Sequence, residues 1–215
     1  MKPTFTISEV VKTSWSFLKE QIWVLVGLFI GYSILAGIIS MFTSPTSIVT
    51  SLVVNLIVMV IAIVFMLGYY KNLFQTLDGI EPQFSAYGQQ AGKFLTYFVA
   101  NILMSIIVAI GMVLLIIPGI YLALRLQFFG CFIVEENAGI IDSLKKSWAL
   151  TEGQVMPLLI LALAMIGIAI VGALLLGVGL FVAYPLILMM QCYVFRKLNT
   201  PLAVLDEVVE DVIEA

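Results

Sequence analysis

Six long apolar runs constrain this chain more than any other feature of its sequence. A helix needs about 20 mostly apolar residues to cross the roughly 30 Å hydrocarbon core of a bilayer. The runs that approach or meet this length are residues 22–42, 48–70, 96–117, 118–134, 155–176 and 178–195. Only 11% of the 215 residues are charged, a share typical of a chain solvated by lipid. We therefore predict an all-α, polytopic membrane helical bundle with six transmembrane helices.

The connections between the runs alternate in length, which predicts three helical hairpins. Residues 43–47, 118–119 and 177–179 are short corners, whereas 71–95 and 135–154 are long and polar. Nine of the ten Lys and Arg residues precede the first run, follow the sixth or lie in the long connections. Because positive charge marks the cytoplasmic side, we expect both termini and both long connections in the cytoplasm.

Two amphipathic stretches predict helices that lie flat on the cytoplasmic membrane surface. The first covers residues 7–20, and Thr6 with Glu9 forms a capping-box pattern at its start. A shift of 133 residues aligns it with a second stretch at 140–152, so the repeat is parallel; residues 84–95 form a weaker counterpart. Tryptophan at headgroup depth and lysine facing anionic lipid would hold such helices at the interface. The predicted interfacial anchors are Trp15, Trp148, Lys12, Lys145 and Lys146.

The chain divides into a single six-span membrane domain at 1–199 and an acidic tail at 200–215. The tail has an apolar stripe on one helical face and acids on the other, so it predicts an amphipathic helix. Anionic lipid repels acids, so the stripe should pack on protein, either this chain's own basic face or a partner. The acids of the candidate docking tail are Asp206, Glu207, Glu210 and Asp211.

Arg125 is the one charged residue inside a predicted span, and intramembrane charges are functional candidates by default. No acid lies in any span, so its expected partners are backbone carbonyls, tyrosines, nearby amides or a lipid phosphate. The amides considered with it as a polar site are Gln127, Asn55 and Asn101. Two roles remain open for Arg125: a structural one, and the binding of an anionic headgroup or substrate.

The sequence offers no catalytic, cofactor or metal site. It contains no histidine, and its two cysteines, Cys131 and Cys192, lie in apolar runs, where we expect them buried and reduced. The acidic pair Glu135-Glu136 lacks a third ligand and is expected to form a solvated turn. No Lys/Arg cluster of the kind that binds nucleic acid is present. The chain is therefore predicted not to be an enzyme.

The segment 114–154 carries four local motifs: Pro118-Gly119-Ile120-Tyr121, Arg125, Glu135-Glu136 and Lys145-Lys146-Ser147-Trp148. With these motifs it resembles a family of bacterial six-span membrane proteins. That family includes YciC-like proteins and the membrane domain attached to some glycerophosphodiester phosphodiesterases. The resemblance implies a bacterial cytoplasmic (inner) membrane and a biochemical role that is mostly unassigned; phosphodiesterase chemistry would belong to a separate soluble domain.

Two functions remain in competition. The favoured one is a non-enzymatic accessory or scaffold subunit that organises the envelope, with membrane lipids and other membrane proteins as partners. The alternative is a transporter or channel for a lipid-like or small solute, although the spans lack the acids or histidines that proton coupling usually needs.

Overall fold

The computed structural model describes residues 5–43, 47–175 and 177–199, and every regular element in these ranges is a helix. In chain order the helices are α1 (Ile7–Glu20), α2 (Ile22–Ser40), α3 (Ile48–Leu77), α4 (Ser85–Ala91), α5 (Phe94–Leu114), α6 (Ile116–Leu126), α7 (Phe129–Glu136), α8 (Ile140–Leu150), α9 (Val155–Leu174) and α10 (Leu180–Asn199).

Six segments are long and apolar enough to cross a membrane: α2, α3, α5, α6 with α7, α9, and α10. The prediction of an all-α, multi-pass membrane bundle is confirmed. The capping box at the start of α1 is also present, since the side chains of Thr6 and Glu9 each accept from the other's backbone N–H.

Two predicted boundaries differ from the structure. Helix α3 continues two turns past residue 70, because its polar residues Asn72 and Thr76 pack inside the bundle beside Phe74. The corner between α5 and α6 lies at Leu115, which is extended, and not at Pro118-Gly119. Proline fits the first turn of a helix, where its missing N–H is not needed, so Pro118 lies within α6.

The fourth and sixth spans form the middle of the bundle. In the α6–α7 span and in α10, 56% of the residues in the most apolar stretch are buried, against 6% to 17% in the other four spans. Buried side chains concentrate where α3, α7 and α10 meet. There the ring of Phe195 packs edge-on against Phe74 and Phe132, with centroids 5.6 and 4.9 Å away.

The amphipathic helices α1 and α8 bury side chains at equivalent positions of the repeat. Ser14 and Ser147, which the 133-residue shift aligns, are both fully buried. The tryptophans that follow them, Trp15 and Trp148, are 38% and 39% exposed. Helix α1 packs on α10, and α8 packs on α7 and α5. The sequence repeat is therefore matched by a repeat in which side chains are buried and which are exposed.

The short corners of the second and third hairpins use glycine in the same way. A Cβ on Gly119 would lie 2.8 Å from the backbone nitrogen of Met112, and one on Gly179 would lie 2.9 Å from Cα of Gly172. The two glycines lie 60 residues apart in the sequence. Small residues here let antiparallel helices approach closely.

Candidate functional site

The fourth span is broken in its middle. Helix α6 ends at Leu126 and α7 begins at Phe129, although neither proline nor glycine stands at the break. Breaks of this kind arise when a side chain inserts into the helical hydrogen-bond ladder. Here the inserted group is the hydroxyl of Ser147 from α8, which donates to Arg125 O over 2.9 Å and accepts from the Phe128 N–H over 3.1 Å.

Amide and hydroxyl side chains satisfy the other backbone groups that the break frees. The side chain of Gln127 donates to Leu124 O over 3.0 Å. The Nε2 group of Gln191, on α10, donates to Gln127 O over 2.9 Å. The hydroxyl of Thr151 lies 3.1 Å from Arg125 O. Irregular backbone at membrane depth is tolerated when protein covers it in this way.

Arg125 lies at this break and is only 4% exposed. Its guanidinium carbon is 4.2 Å from the ring centroid of Trp148 and 5.8 Å from that of Tyr121. Its Nε atom is buried and has no hydrogen-bond partner. Among the described residues, no acidic oxygen comes within salt-bridge distance of the guanidinium. Aromatic rings are therefore the main neighbours of this charge.

The aromatic contacts compensate Arg125 only in part. Placing arginine near the centre of a membrane helix costs roughly 2.5–3.5 kcal/mol on insertion scales. A desolvated cation–π contact returns up to about 2 kcal/mol.

A network of ion pairs ties the helices together at one end of the bundle, which we call the charged end. Arg196 forms a two-pronged pair with Asp78, both contacts 3.0 Å long, and reaches Glu135 at 2.6 Å. Lys71 also approaches Glu135, at 3.6 Å. The pairs connect the end of α3 to α7 and α10.

The neighbouring Glu136 belongs to the same network. It accepts from Lys146 of α8 over 2.9 Å and from the amide of Asn199 over 2.7 Å. The carboxylates of Glu136 and Asp142 raise the pKa of Lys146. The expected solvated turn at Glu135-Glu136 is found only in part: Glu136 is exposed, but both residues form the last turn of α7, and Glu135 is paired with the distant Arg196.

Glu9 fastens α1 to the same end. It accepts from the side chains of Lys197 and Tyr193, both on α10. Burial alone would raise the pKa of Glu9, but these two partners hold it below its usual value.

An apolar groove of about 790 Å³ runs along α2, which we call the α2 groove. Its floor includes Gly27 and Gly31, where an added Cβ would meet nothing within 4 Å. Tyr32 stacks on Phe65 in its wall, with ring centroids 4.2 Å apart. The remaining lining residues are Trp23, Val24, Leu28, Leu35, Val60, Ile61, Val64, Phe84 and Tyr87.

The structure brings some of the predicted site residues together and leaves others apart. Gln127 lies at the same break as Arg125, where its side chain donates to Leu124 O, whereas Asn55 and Asn101 have exposed side chains on α3 and α5. Cys131 and Cys192 are free and buried, as expected. Of the predicted anchors, Lys12 and Lys145 are exposed and Lys146 is ion-paired. The acids of the tail lie outside the described residues.

Ser147 and Thr151 were missed as site residues by the sequence analysis. A signal for both was present, since polar residues four apart share one face of a helix. That face of α8 also carries buried Leu144 and therefore looks inward.

A family described as "Domain of unknown function (DUF7847)" matches residues 46–215. This range includes the broken span and the helices α8 and α10, whose side chains bond to it. No curated protein and no solved structure matches the chain. The resemblance to YciC-like proteins stays a prediction.

Proposed function

The chain belongs to the DUF7847 family, and because the function of that family is unknown, we propose a role from the geometry of this protein. In this proposal the protein is a non-enzymatic accessory or scaffold subunit of a membrane protein complex. It binds a transmembrane helix of a partner protein in the α2 groove.

The α2 groove supports this proposal because its shape suits a helix. It extends along α2 from Trp23 to Leu35, a rise of about 18 Å and so more than half of the hydrocarbon thickness. Gly27 and Gly31 have the spacing that lets two helix backbones approach closely within a membrane. Their unoccupied surfaces leave room for that approach.

The chemistry of the α2 groove favours binding over catalysis. Among the described residues, its lining contains no carboxylate, amine or thiol, and the hydroxyls in it are those of Tyr32 and Tyr87. The pKa of Tyr87 is raised by burial to about 12, so it is a poor base near neutral pH. A partner helix needs only van der Waals contact and few polar groups here.

We place the protein in a bacterial cytoplasmic membrane with its charged end and both termini in the cytoplasm. The distribution of lysine and arginine supports this orientation, since the positive-inside rule assigns such loops to the cytoplasm. The ion pairs of Lys71 and Arg196 lie at that same end.

The test fills the α2 groove with leucine side chains and measures how much partner protein copurifies. Tagged wild-type protein and the Gly27→Leu/Gly31→Leu variant are purified from native membranes in mild detergent, and copurified proteins are quantified by mass spectrometry. Gly167→Leu is the matched control, since Gly167 is exposed on α9 and also has nothing within 4 Å.

A photo-crosslinker at Leu35 then identifies what occupies the groove. Support requires a stoichiometric protein that crosslinks through a transmembrane segment, is lost from the groove-filled variant and is retained by the control. Equal recovery from all three proteins, or crosslinks to lipid alone, would refute the proposal.

A second function, movement of a lipid-like solute, is favoured by the broken span at Arg125. Broken helices in transporters line the substrate site at mid-membrane. Reconstitution into vesicles separates the two functions. A labelled phospholipid that changes leaflets only in protein-containing vesicles would favour transport.

A further inference from the structure

We propose that Arg125 binds a phosphate-bearing anion, supplied by a phospholipid headgroup or free in solution. This inference is independent of partner binding in the α2 groove. It rests on a cation that is nine-tenths buried and has no anionic partner among the described residues.

The guanidinium of Arg125 retains unused hydrogen-bond donors. Its carbon lies over the ring of Trp148, 4.2 Å from the ring centroid, and an aromatic face accepts no conventional hydrogen bond from the five N–H groups that arginine carries. The buried Nε–H has no partner, and no hydrogen bond joins the terminal nitrogens to the described part of the chain. Arginine uses this fork to bind phosphate through two parallel hydrogen bonds.

Two partly exposed amphipathic rings, Tyr121 of α6 and Trp148 of α8, border Arg125. Tyr121 and Trp148 meet edge to face, with centroids 5.9 Å apart, and are 40% and 39% exposed. Tyrosine and tryptophan favour positions where an apolar environment borders a polar one. A headgroup entering beside these rings would meet Arg125, while its acyl chains stayed against the apolar surface of α6.

The internal repeat supplies a comparison inside the same molecule. Helix α1 carries Lys12 and Trp15 in the positions of Lys145 and Trp148, but it packs on α10. Sixty residues after Arg125, in the register that pairs Gly119 with Gly179, α10 has Pro185. Both amphipathic helices therefore carry the lysine and the tryptophan, but only the span beside α8 carries a buried arginine. We expect one anion site.

The experiment follows the fluorescence of Trp148 in the full-length protein. Replacing the other two tryptophans, Trp15→Phe and Trp23→Phe, leaves Trp148 as the only one. The detergent-purified protein is titrated with short-chain phosphatidylglycerol, with the matched diacylglycerol that lacks phosphate, and with inorganic phosphate. Arg125→Gln and the control Lys12→Gln are made in the same background.

We expect saturable binding of phosphatidylglycerol that Arg125→Gln weakens by about 10-fold or more, as loss of charge-assisted hydrogen bonds implies. Lys12→Gln should bind as the parent does. Equal saturation by inorganic phosphate identifies a free anion as ligand, whereas a response only to phosphatidylglycerol identifies a lipid; both results support the site. Equal affinity for diacylglycerol, or no effect of Arg125→Gln, overturns it.

If Arg125→Gln aggregates, Arg125→Lys decides the question. Lysine keeps the positive charge and loses the planar fork. We expect it to prefer phosphatidylglycerol to diacylglycerol with reduced affinity. A lysine variant that binds both lipids equally refutes the proposal.

Discussion

The hydroxyl oxygen of Ser147 lies 2.9 Å from the backbone carbonyl oxygen of Arg125, which is 22 residues earlier in the chain. A side chain of α8 thereby replaces a hydrogen bond of the fourth span. Helix α8 cannot leave α6 and α7 without exposing unpaired backbone groups to an apolar environment. The amphipathic helix α8 and the broken span of α6 and α7 therefore form one structural unit.

Replacing Ser147 by Ala should destabilise the protein by about 1–3 kcal/mol, because the buried Phe128 N–H would lose its acceptor. The free energy of unfolding in a denaturing-detergent titration measures this loss. Ser14→Ala is the matched control, since Ser14 is equally buried in the repeat but its hydroxyl has no partner. The control should be neutral or slightly stabilising. Equal losses in both variants would contradict this account of the break.

Replacing Gly172 by Ala should lower stability by about 1–3 kcal/mol through overpacking. The new Cβ would lie 2.9 Å from Cβ of Ala183 and 3.1 Å from the carbonyl carbon of Gly179, and the latter is backbone that cannot rotate away. Thermal unfolding in one detergent measures the change. Gly167→Ala, on the same helix with nothing within 4 Å, should be neutral or stabilising by up to about 1 kcal/mol. Loss of stability in Gly167→Ala alone would be inconsistent with this packing.

Glu9→Gln should remove an acid-sensitive part of stability. Burial raises the pKa of Glu9, but Lys197 and Tyr193 outweigh it, so the folded-state pKa lies below the usual 4.5. A carboxyl of this kind stabilises the fold above its unfolded-state pKa, and the contribution is lost as pH falls through the folded-state pKa. At pH 7 the wild type should exceed Glu9→Gln in stability by up to about 1 kcal/mol, since the pair is partly exposed.

The pH dependence of that difference is the measurement. Unfolding free energies of both proteins between pH 7 and pH 3 should converge below about pH 4.5. A difference that stayed constant over the range would show that the contact of Glu9 with α10 is not ionic.

Cysteine labelling should find the charged end inside the cell. In a background with Cys131→Ala and Cys192→Ala, we expect Lys145→Cys to react with a membrane-impermeant maleimide only after permeabilisation. Val178→Cys, at the opposite end of the bundle, should react in intact spheroplasts. The reverse pattern would invert the proposed orientation.

The spans could be predicted from sequence because bilayer thickness sets their length and apolarity. The helix start at Thr6 and the repeat of Ser14 with Ser147 are local patterns and were visible for the same reason. The break before Phe129 was not visible, since no residue in that span causes it. Its cause is Ser147, which reaches the span only through tertiary packing.

The same limit applied to the charges. Sequence identified Arg125 as an unusual residue and found no acid in the spans to pair with it. It did not predict that Glu135 would receive Arg196, which lies 61 residues away. Which charges meet depends on the packing of α7 beside α10, and hydropathy carries no information about that packing.

The burial of α10 has a consequence for biosynthesis. This helix contacts α1, α2, α3 and α9, and it follows all of them in the chain. Until the translocon releases α10, these earlier helices lack the surface against which they pack. Their final arrangement must therefore form after translation of residue 199, and truncated nascent chains should be substrates for membrane quality-control proteases.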